Sequence, residues 1–288
     1  MAQYPELFLV KAFTTTADGG NAAGVVLFAD ALKQQRKQEI AANLGLSETA
    51  FVSESAVGDV KVEFFTPNRQ IPHCGHATVA TFGLLLEKGM VQEPGAIKES
   101  IVGPRQISLK KGKVYQAQLA PKYKSLADAS ISASEVATSL NLQVDDLVLE
   151  PLLVSTGVWF LLVQVPNEEV LRSLQPDQSK IEAISERLNL VGYYVFTTAT
   201  EAADASARMF APSYGIPEES ATGMAAGPLA CYLYEHMNFK AATYMIHQGY
   251  LMQPASPSQI EVQLYLDDTK ISGLQVGGPV VVVEQLAL

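Results

Sequence analysis

The sequence predicts an α+β protein of two similar halves, each a set of strands wrapped around one buried helix. Three observations carry that expectation. Short alternating apolar runs, rich in β-branched and aromatic residues, recur between Gly, Pro and Asn. Two stretches, Thr78-Val79-Ala80-Thr81-Phe82-Gly83-Leu84-Leu85-Leu86 and Ala221-Thr222-Gly223-Met224-Ala225-Ala226-Gly227-Pro228-Leu229-Ala230-Cys231-Tyr232-Leu233, have almost no polar face. A helix apolar all round must be covered on every side, and in a strand-rich chain sheets do the covering. The parts also repeat in order. Phe65-Thr66-Pro67 precedes Cys74-Gly75-His76-Ala77-Thr78 and the first helix, while Phe210-Ala211-Pro212 precedes Ser220-Ala221-Thr222-Gly223-Met224 and the second, about 145 residues later.

Strands are expected at 7–13, 60–65, 106–111, 114–120, 158–165, 193–197, 260–266 and 280–284. Lys110-Lys111-Gly112-Lys113 joins two of them as a hairpin turn. Helices are expected at 31–44, 78–88, 134–140, 178–188 and 221–236, with Ser132 and Asp177 as caps. Gly19-Gly20-Asn21-Ala22-Ala23-Gly24 lacks the spacing of a dinucleotide loop and reads as a turn with Asn21 hydrogen-bonding locally. Lys33-Gln34-Gln35-Arg36-Lys37 reads as the solvated face of a helix. The expected division is an N-terminal domain, 1–119, joined by the last strand, 279–288, and a C-terminal domain, 120–278.

A chain of 288 residues with 48% hydrophobic and 17% charged residues can bury a sizeable core. Its formal charge of −10 argues against nucleic acid or anionic membrane as a partner, since both need clustered Lys and Arg. No run is long and apolar enough for a membrane span, and the first residues lack the pattern of a leader, so a soluble, cytoplasmic chain is expected. Cys74 and Cys231 are the only cysteines and form no CxxC pair, which suggests neither a disulfide framework nor a structural zinc site. His73 and His76 are the only close histidines, and no carboxylate can be assigned to complete a metal site with them.

Small residues open both apolar helices: Gly75, Ala77 and Thr78 in one, Ala221, Thr222 and Gly223 in the other. Uncovered N–H groups and the positive end of the helix dipole suit an anion, although glycine there also serves close packing. Glu48, in Leu46-Ser47-Glu48-Thr49-Ala50-Phe51-Val52, lies between apolar residues that would raise its pKa toward general acid/base range; alternatively Ser47 and Glu48 form a polar turn. His76, at a helix start, is expected to stay neutral and to hydrogen-bond substrate or shuttle a proton, or else to be a satisfied core histidine. Cys74 is either a thiolate of lowered pKa or an inert small residue, and Cys231 is core. Glu218 and Glu219 are first-turn acids or face a ligand.

Together these segments resemble the phenazine biosynthesis PhzF-like family over nearly the whole chain. The matches run through Phe13-Thr14, Gly20-Asn21-Ala22-Ala23-Gly24-Val25, Ser47-Glu48-Thr49, Phe65-Thr66-Pro67 and Cys74-Gly75-His76-Ala77-Thr78. They continue through Val154-Ser155-Thr156-Gly157, Arg208-Met209-Phe210-Ala211-Pro212, Gly215-Ile216-Pro217-Glu218-Glu219, Ala221-Thr222-Gly223 and His247-Gln248-Gly249. The resemblance implies the diaminopimelate epimerase fold: two pseudo-symmetric domains, each a highly curved, mostly antiparallel, barrel-like sheet around a central helix, with the active site between them. It implies a homodimer and an isomerase or epimerase without cofactor or metal that moves a proton on a small carboxylic acid. Glu48 matches the family's proton-transfer glutamate, and His76 and Glu219 match residues that help hold the substrate. Gly75 and Gly223 would offer amides to its carboxylate, with Cys74, Ala77, Ser220, Thr222 and Met224 as further contacts.

Departures make the substrate different from that of the phenazine enzyme. Glu219 replaces the usual Asp, Ser220 a Pro and Met224 a serine, while Gln70 replaces an acid and Leu251-Met252-Gln253-Pro254 lacks an arginine. Related racemases use two cysteines at the two helix starts. Cys74 occupies the first, and Ser220 is taken as its mirror, which disfavours a two-thiol mechanism but leaves a one-thiol epimerase or dehydratase. A metabolite-binding or protein-interaction role is the non-enzymatic alternative.

Overall fold

The structure, a computed structural model, describes residues 4–288. It divides into two compact units, one ending at Ala117 and completed by Gly277–Leu288, the other comprising Gln118–Val276.

The first unit begins with β1 (Glu6–Ala12), β2 (Asn21–Leu27), α1 (Gln34–Leu44), β3 (Thr49–Ser53), β4 (Val60–Phe65) and β5 (Gln70–Ile71). It continues with α2 (Gly75–Glu87), β6 (Gly95–Glu99), β7 (Arg105–Lys110) and β8 (Lys113–Leu119). The last strand of the chain, Val280–Leu286, returns to pair antiparallel with β1. The pairs β1–β2, β3–β4, β4–β5, β6–β7 and β7–β8 are antiparallel; β2–β3 and β4–β6 are parallel. The central helix α2 lies against β1, β2, β3 and the last strand. Nine of its residues are buried, including Val79, Ala80, Phe82, Leu84 and Leu85, as a helix without a polar face requires. On the strands' other face, Leu7, Val26, Phe51 and Phe65 form a second cluster with Ile40 and Ala41 of α1. Alternation along each strand thus feeds two layers.

The second unit holds β9 (Lys122–Lys124), α3 (Ala133–Ser139), β10 (Leu152–Ser155), β11 (Trp159–Gln164), α4 (Glu168–Ser173) and α5 (Gln178–Leu188). These are followed by β12 (Gly192–Thr197), β13 (Ala205–Ala211), β14 (Ile216–Glu219), α6 (Gly223–Glu235), β15 (Thr243–Gln248), β16 (Ser258–Asp267) and β17 (Lys270–Gly278); the chain's last strand is therefore β18. Pairing senses repeat those of the first unit. The pairs β10–β11, β12–β13, β13–β14 and β15–β16 are antiparallel, and β11–β12 and β13–β15 parallel. The central helix here is α6, packed on β10, β11 and β16.

Each half is therefore a mostly antiparallel sheet around one apolar helix, as expected, and the duplication extends to individual residues. Helices α1 and α5 both end on a left-handed residue, Gly45 (φ 62°) and Asn189 (φ 53°). Thr49 lies opposite Phe65, and Tyr193 opposite Phe210. The position matching Glu48 is thus Gly192, without a side chain. The expected caps form: Ser132 closes a capping box with Glu135, and Asp177 accepts from the Lys180 amide.

Three expectations need correction. Asn21 does not make a local turn; it opens β2, because the small residues after it fit between β1 and β3. Lys37 is not on a solvated face but is buried and ion-paired with Glu63, whose Oε1 also accepts from Gln34 at 2.6 Å. Both central helices begin where glycine permits, so α2 starts three residues earlier than expected and α6 two residues later.

Candidate active site

Glu48 sits in the three-residue passage from Gly45, which ends α1, to Thr49, which opens β3. Its carbonyl accepts from the Gly24 amide at 3.1 Å, which fixes the passage against β2. Its carboxylate Oε2 lies 3.2 Å from Nε2 of His76, the second residue of α2. The other ring nitrogen of His76, Nδ1, faces Cys74 Sγ at 3.6 Å. Thiol, imidazole and carboxylate thus form a chain in which the imidazole bridges the other two. His76 and Cys74 are buried, and Glu48 nearly so.

Burial disfavours the Glu48 carboxylate, but the hydrogen bond and charge of His76, helped by Ser47 and Cys74, hold its pKa below the ordinary value. The upward shift expected from its apolar neighbours is reversed, because the fold adds a partner that the local sequence does not contain. Burial likewise opposes a charged His76, yet the Cys74 sulfur and then Glu48 raise its pKa well above 6.5. The neutral imidazole expected from the helix start is overruled by that contact. Burial dominates at Cys74 and raises the thiol above its ordinary value, against His76; a lowered thiol pKa is not what this environment produces. Cys231 is fully buried, and burial moves its thiol up to about 12.

The carboxylate that no sequence pattern assigned to a metal site is Glu48, whose ligand atom lies within 4.8 Å of those of Cys74 and His76. Donor types of this kind can hold a divalent ion. Opposite nitrogens of one imidazole face the two partners, Nε2 the Glu48 carboxylate and Nδ1 the Cys74 sulfur.

Around α2, Gly75 is half-buried, its carbonyl accepts from Gln116 Nε2 at 2.7 Å, and Ala77 is buried. No acidic residue occupies the first turn of α2, and no side chain caps its start. A lysine that no motif marked as functional completes this side. Lys98, fully buried on β6, donates to Thr78 Oγ1 at 3.0 Å and lies 3.3 Å from His73 Nδ1. Burial brings Lys98 down to about 8, with Arg105 acting the same way against Cys74; burial, then Lys98 and Arg105, bring His73 to about 3. The alternation Ala96, Lys98, which places both on the inward face, was the one available signal.

In the second unit, Thr222 stands immediately before α6 and donates its hydroxyl to Glu219 Oε2 instead of capping the helix. Gln248 orders this start: Oε1 accepts from the Thr222 amide (3.0 Å) and Tyr194 hydroxyl (2.9 Å), while Nε2 donates to the Glu219 carbonyl (2.8 Å). The Thr222 amide is therefore already engaged. Glu218 does not act on the helix dipole; it forms a two-pronged ion pair with Arg208 at 2.8 Å on both arms. Gly223 and Met224 are the first helical residues, and Ser220 lies between β14 and Thr222. As Cys74 immediately precedes α2, so Thr222, and not Ser220, immediately precedes α6. The mirrored group is still a hydroxyl.

The profile of the phenazine biosynthesis-like protein family matches residues 10–285. An uncharacterized isomerase of Deinococcus radiodurans is 33% identical, with 96% of this chain and 92% of that protein covered. The uncharacterized isomerase YddE of Salmonella typhimurium is 30% identical, with 96% of each covered. Among solved structures, a phenazine biosynthesis protein of the PhzF family from Bacillus anthracis superimposes with a TM-score of 0.88 at 28% identity over 99% of both chains. The chain belongs to the phenazine biosynthesis-like, or PhzF, family and is an isomerase. Among the described residues no helix is long and apolar enough to cross a membrane.

Proposed function

We propose that the protein moves a proton between carbons of a small carboxylic acid without a cofactor, with Glu48 as the general acid/base. The observation that carries this reading is the Glu48–His76 contact, 3.2 Å long and enclosed by protein. It keeps the carboxylate ionised at neutral pH and supplies a proton donor beside it. Glu48 would take a proton from a C–H bond acidified by an adjacent sp² or carboxyl group. The freed electron pair shifts into that group, and Glu48, whose proton exchanges with solvent while it holds it, returns a proton at the second carbon. His76 stabilises the developing charge, and the Gly75 amide receives the substrate carboxylate at the start of α2. Cys74 and Ala77 would line that place, and Glu219, Ser220, Thr222, Gly223 and Met224 are proposed as further substrate contacts.

A second reading, proton transfer by the Cys74 thiol, draws on its 3.6 Å approach to His76 Nδ1. Solvent deuterium incorporation into a panel of small unsaturated and 2-substituted acids separates the two. Wild type and Cys74→Ala are expected to exchange, and Glu48→Gln to lose about 100-fold or more. Loss in Cys74→Ala with exchange retained in Glu48→Gln would assign the thiol. Binding of an acid without exchange in any form would favour a binding protein. Sedimentation of the pure protein tests the homodimer.

A further inference from the structure

We infer that Lys98 is a positioning residue that strengthens the carboxylate-binding start of α2, acting through Thr78 and the Cys74 carbonyl on the Gly75 amide. The inference rests on the proposed role of Gly75 and deepens it. Lys98 and Thr78 are both 0% exposed. Lys98 Nζ donates to Thr78 Oγ1 at 3.0 Å, and the Thr78 hydroxyl donates to the Cys74 carbonyl at 2.7 Å. That carbonyl belongs to the same peptide group as the Gly75 N–H. A positive charge at one end of a hydrogen-bond chain polarises each member in turn and makes the last N–H a better donor. Gln116 does the same, without charge, for the next peptide group by donating to the Gly75 carbonyl.

A second observation points to an anion. A buried ammonium normally has a carboxylate partner, since an isolated buried charge is costly. Among the described residues, Lys98 has none within ion-pair distance. Its surroundings are the Thr78 hydroxyl, the His73 imidazole, the Cys74 thiol, the Phe64 ring at 5.1 Å, Val60 on β4 and the cationic Arg105 opposite it on β7. The half-buried start of α2, linked to Lys98 through Thr78, carries no acidic residue in its first turn that would answer this charge.

Burial already brings Lys98 to about 8, so the charge is present at pH 7 and absent at pH 9.5. The probe is crotonate, a small unsaturated carboxylate that stays ionised across this range, titrated at pH 6.5 to 9.5 while the Gly75 amide is followed by NMR. In wild type its affinity is expected to weaken by about three- to tenfold as pH rises through 8. Thr78→Val, which breaks the chain but leaves Lys98 and His76 in place, should bind weakly at low pH and lose the inflection. Lys98→Arg, whose guanidinium does not titrate, should bind without it, and Lys98→Met should bind weakly throughout. Thermal melts identify any variant that fails to fold, and the wild-type profile with Thr78→Val then decides. Binding that shifts the Gly75 amide but ignores pH and Thr78→Val overturns the role of Lys98 and leaves the carboxylate reading standing. No shift of that amide in wild type at pH 6.5 overturns both.

Discussion

Glu48 shows how one contact can reverse what a side chain's neighbours in sequence suggest. Apolar flanks favour a neutral acid, but His76 faces the carboxylate and the charged pair results. Replacing His76 with Gln leaves burial in command, so the Glu48 pKa should rise above 4.5 when followed by carboxyl ¹³C shifts. A value still below 4.5 would mean that Ser47 and Cys74 suffice. The pair also shapes stability against pH. Glu48, depressed on folding, stabilises above about pH 4.5 and loses that contribution as pH falls through its folded value. His76, raised on folding, contributes fully below about pH 6.5 and loses it as pH rises through its folded value. Urea midpoints should therefore be highest between these limits, and His76→Gln should remove the alkaline decline. Lys37 has a structural charge role: Lys37→Met strands buried Glu63 and should cost about 3–5 kcal/mol. Lys37→Met combined with Glu63→Leu should recover most of it.

At the scale of elements, α2 and β18 meet without room for a side chain at Gly83. A Cβ built on Gly83 of α2 would lie 2.5 Å from the Val280 side chain of β18, closer than real atoms approach. Gly83→Ala must push helix and strand apart, at about 1–3 kcal/mol read from urea unfolding. The helix starts are braced alike through their first carbonyls: Gln116 donates to the Gly75 carbonyl at 2.7 Å and Gln118 to the Gly223 carbonyl at 3.0 Å. They differ in the residue before each helix, where Gln248 holds the Thr222 amide and Thr78 donates to the Cys74 carbonyl.

For the whole chain, the two ends complete the first unit: β18 pairs with β1 along its length and lies against α2. Removing residues 280–286 exposes Gly83 and an apolar helix face, and amides of α2 should lose their protection from hydrogen exchange. If α2 stays protected, β18 is dispensable. The duplication itself is unequal in chemistry. Equivalent positions hold Glu48 and Gly192, and Cys74 and Thr222, so at these two positions only the first half carries a titratable group.

The two apolar helices, several of the strands, the repeated order of parts and the residues Glu48, Cys74 and His76 as candidates were legible in the sequence. Those features depend on local pattern and residue type, which the chain carries wherever it folds. Strands such as β2 and β13 were missed because burial on both faces, or small residues, erased their alternation. Ionisation states were misread for a related reason: Glu48 and His76 are 28 positions apart, and their energies are set by each other. Lys37 and Lys98 look like surface lysines until the fold buries them. The sequence determined by itself which groups exist and which helices must be enclosed; only the tertiary structure decided which groups meet, because charge and hydrogen-bond energies depend on distances that sequence separation does not predict.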